Sequence, residues 1–216
     1  MLPFLYSMKP PLKRVWRFAR WPLGVLLVLY VGFVLYRIPA AGEKERTVEA
    51  VAHIHAQKIT LDDVMGAHLP PTPNEEENNA TLAGVDANKN GIRDDVELAI
   101  FKKYPDSPRI RAAELQYAKA LQMELTEVSN SETLVAVIQQ VSRGSLCIAT
   151  TRSQLKDSFQ TTTSLLNSVS ESKFQIESLI FNNSERKNTR ENFFNKFMTS
   201  YSDVNSEACD LSLLRT

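Results

Sequence analysis

Residues 107–128 read SPRIRAAELQYAKALQMELTEV, and the class of the fold turns on how they are read. Ser107 followed by Pro108 is a start signal for a helix. The hydroxyl can accept from an orphan backbone N–H, and proline loses no hydrogen bond at the first helical position. Ile110, Tyr117, Leu121, Leu125 and Val128 then fall on one face at helical spacing. No stretch of the chain alternates convincingly as a strand would, and no internal repeat is visible.

The helical pattern continues toward the C-terminus. SNSETL at 129–134 restarts it, with Ser129 and Glu132 spaced as a capping box and Leu134, Val135, Ile138 and Val141 following. Arg143-Gly144 is expected to bend or end that helix. Leu155, Phe159, Thr162, Leu166, Val169, Lys173, Ile176 and Ile180 then step by four and three, a heptad seam with two polar interruptions. A last helix is expected from near Thr189, with Phe193, Phe194, Phe197, Met198, Tyr201 and Val204 on its apolar side. Residues 105–216 therefore read as a small antiparallel helical bundle. Short connections favour packing of the seam within the chain. The alternative is an assembly protein that offers the 155–180 seam to a partner.

Working toward the N-terminus, residues 86–97 read DANKNGIRDDVE. Asp86, Asn88 and Asn90 stand at alternate positions, Gly91 follows, and Glu97 closes the dozen. Calcium is a hard ion that takes six to eight oxygens, and a short peptide supplies them only by folding around it. Side chains at alternate positions point inward, glycine permits the sharp turn, and a final Glu gives both oxygens. Ile92 would donate its carbonyl while its side chain packs inward, and Asp94 would act directly or through water. The stretch resembles an EF-hand calcium loop, and more loosely the single Asp-x-Asn-x-Asn-Gly loops of bacterial exported proteins. The resemblance covers about residues 84–104 and implies a Ca2+ site formed by Asp86, Asn88, Asn90, Ile92, Asp94 and Glu97. It departs from the pattern in two ways. The residues before Asp86 are rich in Pro and Asn rather than helical, and no second loop is present. Two ligand positions are amides and Arg93 adds a positive charge, so the expected affinity is weak, on the order of 10⁻⁵ to 10⁻³ M. The competing reading is a metal-free turn, because Asn, Asp and Gly form Asx-turns and Asp94 could cap the ELAIFKKY helix that Pro105 ends.

Between 39 and 83 the sequence predicts short helices and a Pro- and acid-rich linker. Val48, Val51, Ala52 and His55 suggest a helix over 44–57. Thr60 and Asp63 suggest a capped turn stopped by Gly66, and HLPPTPNEEENNATLAG reads as a loop. His53-Ile54-His55 invites a zinc reading, but no cysteine lies near, and solvated histidines are the better account. Asn79-Ala-Thr and Asn182-Asn-Ser match a glycosylation acceptor, a pattern that also arises by chance.

The N-terminus bears on the compartment. Residues 21–38 begin with WPLGVLLVLYVGFVLY and are expected to form a transmembrane anchor or uncleaved signal. Residues 1–37 carry six basic side chains and no acid, which predicts a cytoplasmic tail over 1–20 by the positive-inside rule. Of the 25 basic and 25 acidic residues in the chain, 19 and 25 then fall in 38–216. That acidic balance argues against nucleic acid as a partner. The expectation is a single-pass protein of the inner (plasma) membrane with its bulk periplasmic or extracellular, contacting lipid through the anchor. Secretion after cleavage near Ala41 is the alternative. Either route exports the two cysteines, Cys147 and Cys209, and so favours a disulfide between them. No nucleophile elbow, phosphate loop or Cys–His pairing is recognisable, which disfavours an envelope enzyme. The fold class is thus mainly α: an N-terminal membrane helix, one EF-hand-like loop and a helical bundle. The expected role is a calcium-binding scaffold or interaction module.

Overall fold

Every regular element in the computed structural model is a helix. It describes residues 12–155, 161–202 and 207–211, apart from the side chains of 12–20 and 34–41. Helix α1 spans Leu12–Ala56, α2 Leu61–Met65, α3 Glu75–Asn79, α4 Asp94–Lys103, α5 Pro108–Thr126, α6 Ser131–Gln154, α7 Thr162–Ile180 and α8 Ser184–Phe197. The chain divides into two units, Met1–Arg46 and Thr47–Thr216.

In the first unit the side chains of Trp21–Phe33 are exposed. Among the described residues no helix is long and apolar enough to cross a membrane. The expected anchor over 21–38 extends beyond these side chains, since those of 34–38 lie outside the described residues, as do those of the expected tail over 1–20. The short helix expected at 44–57 is the end of α1 instead. Glu43, Lys44, Glu45 and Arg46 are good helix formers, and they carry the helix through despite Pro39 and Gly42.

In the second unit α5 is the axis. It packs most extensively on α6 and also touches α2, α4, α7 and α8. One core gathers Val64, Ile92, Val96, Ile100, Leu115, Tyr117, Leu121, Ile148, Ile176 and Ile180. A second gathers Ile54, Met123, Leu134, Val137 and Ile138, with Phe193, Phe194 and Phe197 against them. The caps follow local chemistry. Ser107 caps α5 with Pro108 next to it. Thr60 and Asp63 form the box that starts α2, and Gly66, at φ +72°, ends it. At α6 the cap moves one residue on from the expected Ser129. Asn130 accepts from Thr133 N–H, and the Thr133 hydroxyl answers Asn130 N–H. Asn183 caps α8, which begins at Ser184, five residues before the expected start. Asn74 caps α3, a single turn within the segment read as a loop.

Two expectations for the bundle are corrected. The heptad seam is not one helix: α6 ends at Gln154 and α7 begins at Thr162, with Phe159 outside the described residues. Leu166 is 61% exposed, and among its described residues the seam is buried only at its far end, through Ile176 and Ile180. Thr161, capping with Ser164, competes for a new helix start and wins locally. Gly144, in turn, neither bends nor ends α6. A Cβ placed there would stand 2.9 Å from Tyr117 Cα and 3.2 Å from its nitrogen, so glycine is what lets α6 lie against the α5 backbone. The disulfide Cys147–Cys209 closes the unit, joining α6 to the 207–211 segment across 62 residues.

Backbone cannot yield as a flexible side chain does. Gly144→Ala is therefore expected to lower the stability of the protein by about 1–3 kcal/mol, although alanine is the better helix former. Urea unfolding of both proteins checks this, and an unchanged or raised midpoint would refute the close approach.

Candidate metal centre

Residues 86–97 form a turn whose side-chain oxygens are gathered by its own main chain. Asp86 accepts from Asn90 N–H at 3.2 Å and from Gly91 N–H at 2.9 Å. Asn88 Oδ1 accepts from Asn90 N–H, and Asn90 Oδ1 accepts from Ile92 N–H at 2.8 Å. Asp94 accepts from Ala87 N–H at 3.0 Å, and Asp94 N–H donates to Val85 C=O at 2.9 Å. Gly91 sits at φ +84° and Lys89 at φ +58°, the left-handed region that permits so tight a turn. Ile92 is fully buried in the core, as its position in the sequence predicts. Asp94 opens α4 but does not cap it: the capping position is Arg93, which makes no side-chain cap bond. The carboxylate of Asp94 is turned back into the turn instead.

The electrostatics of the turn are crowded. Glu97 is 1% exposed. Burial pushes its carboxyl up to about 7, the negative charges of Asp63 and Asp94 add to that, and the Asn88 and Asn90 amides oppose it. Asn88 Nδ2 donates to Glu97 Oε2 at 3.0 Å and to the His68 carbonyl at 3.0 Å. Asn90 Nδ2 faces the same carboxylate outside hydrogen-bond geometry and is a buried donor without a partner. The carboxyl of Asp94 is also raised, by burial first and then by Asp86 and Asp95. Asp63 on α2 and Lys119 on α5 both contribute to this field, Lys119 through its attraction to Asp86 and Asp63. Neither was legible as a neighbour, because each lies in a different sequence segment and carries no motif.

Arg93 does not act on the turn as the nearby cation its position suggests. Its guanidinium is fully buried, pairs with Asp95 at 2.6 Å, and donates to the carbonyls of Leu179 and Ile180 at the end of α7. It thereby satisfies orphan helix carbonyls and fixes the turn to the bundle. Gly84, at φ +71°, makes room, since a Cβ there would meet Arg93 Cδ at 2.2 Å. Arg186, likewise fully buried, donates to the carbonyls of Asn78, Thr81 and Leu82 and to the side chains of Asn79 and Asn182. The two asparagines of the glycosylation-like triplets are thus engaged in holding Arg186.

The donor set fits a hard divalent cation in kind: every one of the six is an oxygen, three from carboxylates, two from amides and one from the main chain. Among the described residues no group of three or more His, Cys, Asp or Glu side chains is placed to hold a metal ion. The amides and the Ile92 carbonyl stand outside that class, and Asp86, Asp94 and Glu97 would have to close in. His53 Nε2 lies 3.0 Å from Gln57 Nε2, within hydrogen-bond distance.

A carboxyl raised in the fold favours the protonated folded state. Its contribution is present below about pH 4.5 and is lost as pH rises through about 7. In chelator, the melting temperature is therefore expected to fall as pH rises from 5 to 7.5, and Glu97→Gln should remove the share of that decline due to Glu97, leaving the share due to Glu124, which burial also raises to about 7. A parallel decline in the variant would show that Glu97 is not the strained group. No family model, curated protein or solved structure matches the chain.

Proposed function

We propose that this protein is a membrane-anchored, extracytoplasmic module that binds one structural calcium ion through Asp86, Asn88, Asn90, Asp94, Glu97 and the Ile92 carbonyl. The observation that carries the reading is the inward array of oxygens at 86–94, held by backbone N–H groups beside a strained Glu97 and an orphaned Asn90 amide. A bound divalent ion supplies positive charge where the protein has gathered acids. The residues do the rest. Asn88 and Asn90 would present to the ion the amide oxygens that the turn already gathers, and Glu97 would give up its proton. Arg93, already committed to Asp95 and the end of α7, carries the new order into the bundle.

Two features support the compartment. Disulfides persist in oxidising surroundings, and Cys147–Cys209 is bridged. The run Trp21–Phe33 leaves many large apolar side chains exposed on a helix, and it covers about 20 Å at 1.5 Å per residue. A longer run through Ile38 would reach about 27 Å, which suits a tilted or locally thinned bilayer.

A second reading has its own support. Leu166 and Phe174 are exposed on α7, which suits a role in assembly through that helix. Sedimentation of the full-length protein in detergent separates the two, because a single-copy mass at high concentration removes self-association.

With calcium at about 1 mM and a dissociation constant near 10⁻⁴ M, mass action stabilises the fold by about 1.4 kcal/mol, or roughly 4 °C. The full-length protein in neutral detergent is expected to show this rise over the same sample in chelator, and Glu97→Ala is expected to abolish it. Identical melting curves with and without calcium would end the proposal.

A further inference from the structure

Away from the turn, a cavity of about 460 Å3 opens between α5, α6, α7 and α8. Its walls are apolar: Ile138, Val141, Leu146, Ala149, Phe194 and Met198. Ile138 is buried, whereas Leu146 is 56% exposed and Met198 51%, so the apolar surface runs from the interior out to a rim left open to water. Ser142 and Ser145 add hydroxyls along α6.

The charged end of the cavity is specific. Glu124, itself buried, is paired with Arg190 Nε at 2.6 Å. Among the described residues only that nitrogen of Arg190 is so engaged; its guanidinium stands 4.5 Å from the centre of the Phe181 ring and 5.5 Å from that of Phe194. Glu177 takes the Tyr117 hydroxyl at 2.6 Å. Lys173 stands over the Tyr117 ring at 5.8 Å and is paired with no carboxylate among the described residues. Both acids of the cluster thus have polar partners, while among the described residues the Lys173 ammonium and the outer nitrogens of Arg190 meet aromatic rings and no carboxylate. Burial, opposed by Arg190, pushes Glu124 up to about 7, which reduces the negative charge at this end further.

We infer that this cavity binds a single-chain amphipathic anion, an alkyl carboxylate, with its tail along the α6 wall and its headgroup on Lys173 and Arg190. The charge complementarity sets the sign of the head, and the apolar wall continuous with it sets the nature of the tail. The volume lies in the range of small-molecule sites and suits one alkyl chain rather than the two of a phospholipid. The seam lysine of α7, a polar interruption when read as packing, here has a role as the headgroup contact. The inference does not rest on the calcium reading, since no residue is shared between the two sites.

The test uses the full-length protein in neutral detergent and a decanoate carrying a photoreactive diazirine, with cross-linked peptides mapped by mass spectrometry. Label is expected on peptides containing Leu146 and Met198, saturable and displaced by decanoate. Decanol, which lacks the charge, and a diacyl phosphatidylglycerol should displace it at least ten-fold less well. Lys173→Gln should cut labelling at least five-fold, as should Leu146→Gln. Both positions are partly or largely exposed, and unchanged melting curves for the two variants would keep the loss from being one of folding. Label that is unsaturable, that falls elsewhere, that survives both substitutions or that is displaced equally by decanol or phosphatidylglycerol would overturn the inference.

Discussion

Helix α5 is buried around almost its whole circumference, and its sequence is not apolar around that circumference. Arg111, Glu114, Gln116, Gln122 and Glu124 are all at most 5% exposed. A buried polar group without a partner costs on the order of 1–3 kcal/mol, more if charged, so each of these side chains must find one. Each finds it in a different segment. Arg111 donates to the carbonyls of Val64, Tyr104 and Pro105. Glu114 takes Arg152 and Ser172. Gln116 holds the 207–211 segment through Ala208 and Asp210, Gln122 holds Ala83, and Glu124 holds Arg190. The need to satisfy one helix therefore fixes where the turns and the other helices lie.

The candidate metal turn inherits its rigidity from this arrangement. Ala83, held by Gln122, is the residue before Gly84, and Gly84 gives way to Arg93. Arg93 closes the circuit at the end of α7, and Arg186 fixes the preceding residues 78–82 from α8. Arg186 is a costly device: burial and the charge of Arg93 both work against its protonation. It is kept charged by five neutral oxygen acceptors in place of water, three of them carbonyls of the segment it shapes and two of them side-chain amides beside it. The turn is thus anchored by guanidinium groups on its outer side, while the acids are left to face one another within it. That separation of sign is what leaves the interior of the turn short of positive charge.

Much of the helical character could be read directly. Ser107-Pro108, Thr60 with Asp63, and Gly66 each act through chemistry confined to a few residues, and each stands where that chemistry places it. Ile92, too, is buried where the spacing puts it. What could not be read depended on distant partners. The face of α5 that carries Glu114 and Gln122 has the composition of a solvated face, and only the surrounding elements reveal it as interior. The seam from Leu155 to Ile180 failed because periodicity counts apolar steps without registering that Thr161 offers a better local start. Gly144 was misjudged for a related reason: glycine in a helix weakens it, but here a neighbouring backbone occupies the place of the missing Cβ. Arg93 looked like part of the turn because sequence proximity cannot say which way a long side chain leaves.

The disulfide belongs to the same logic. The 207–211 segment has little apolar surface of its own, Leu211 and Cys209 being its contributions to the core. Its polar ties are many: Arg143 pairs with Asp210 at 2.8 Å and donates to the Glu207 carbonyl, and Asp210 also accepts from Ile59 N–H. Such bonds exchange with water and leave about 1 kcal/mol each. Ordering the segment costs about as much per residue, so those bonds alone leave it near balance. Closing a loop of 62 residues by a covalent bond removes chain entropy worth roughly 4 kcal/mol from the unfolded state. That term tips the balance, and with it the segment that holds Ile59 just before α2, the helix carrying the Asp63 that crowds Glu97.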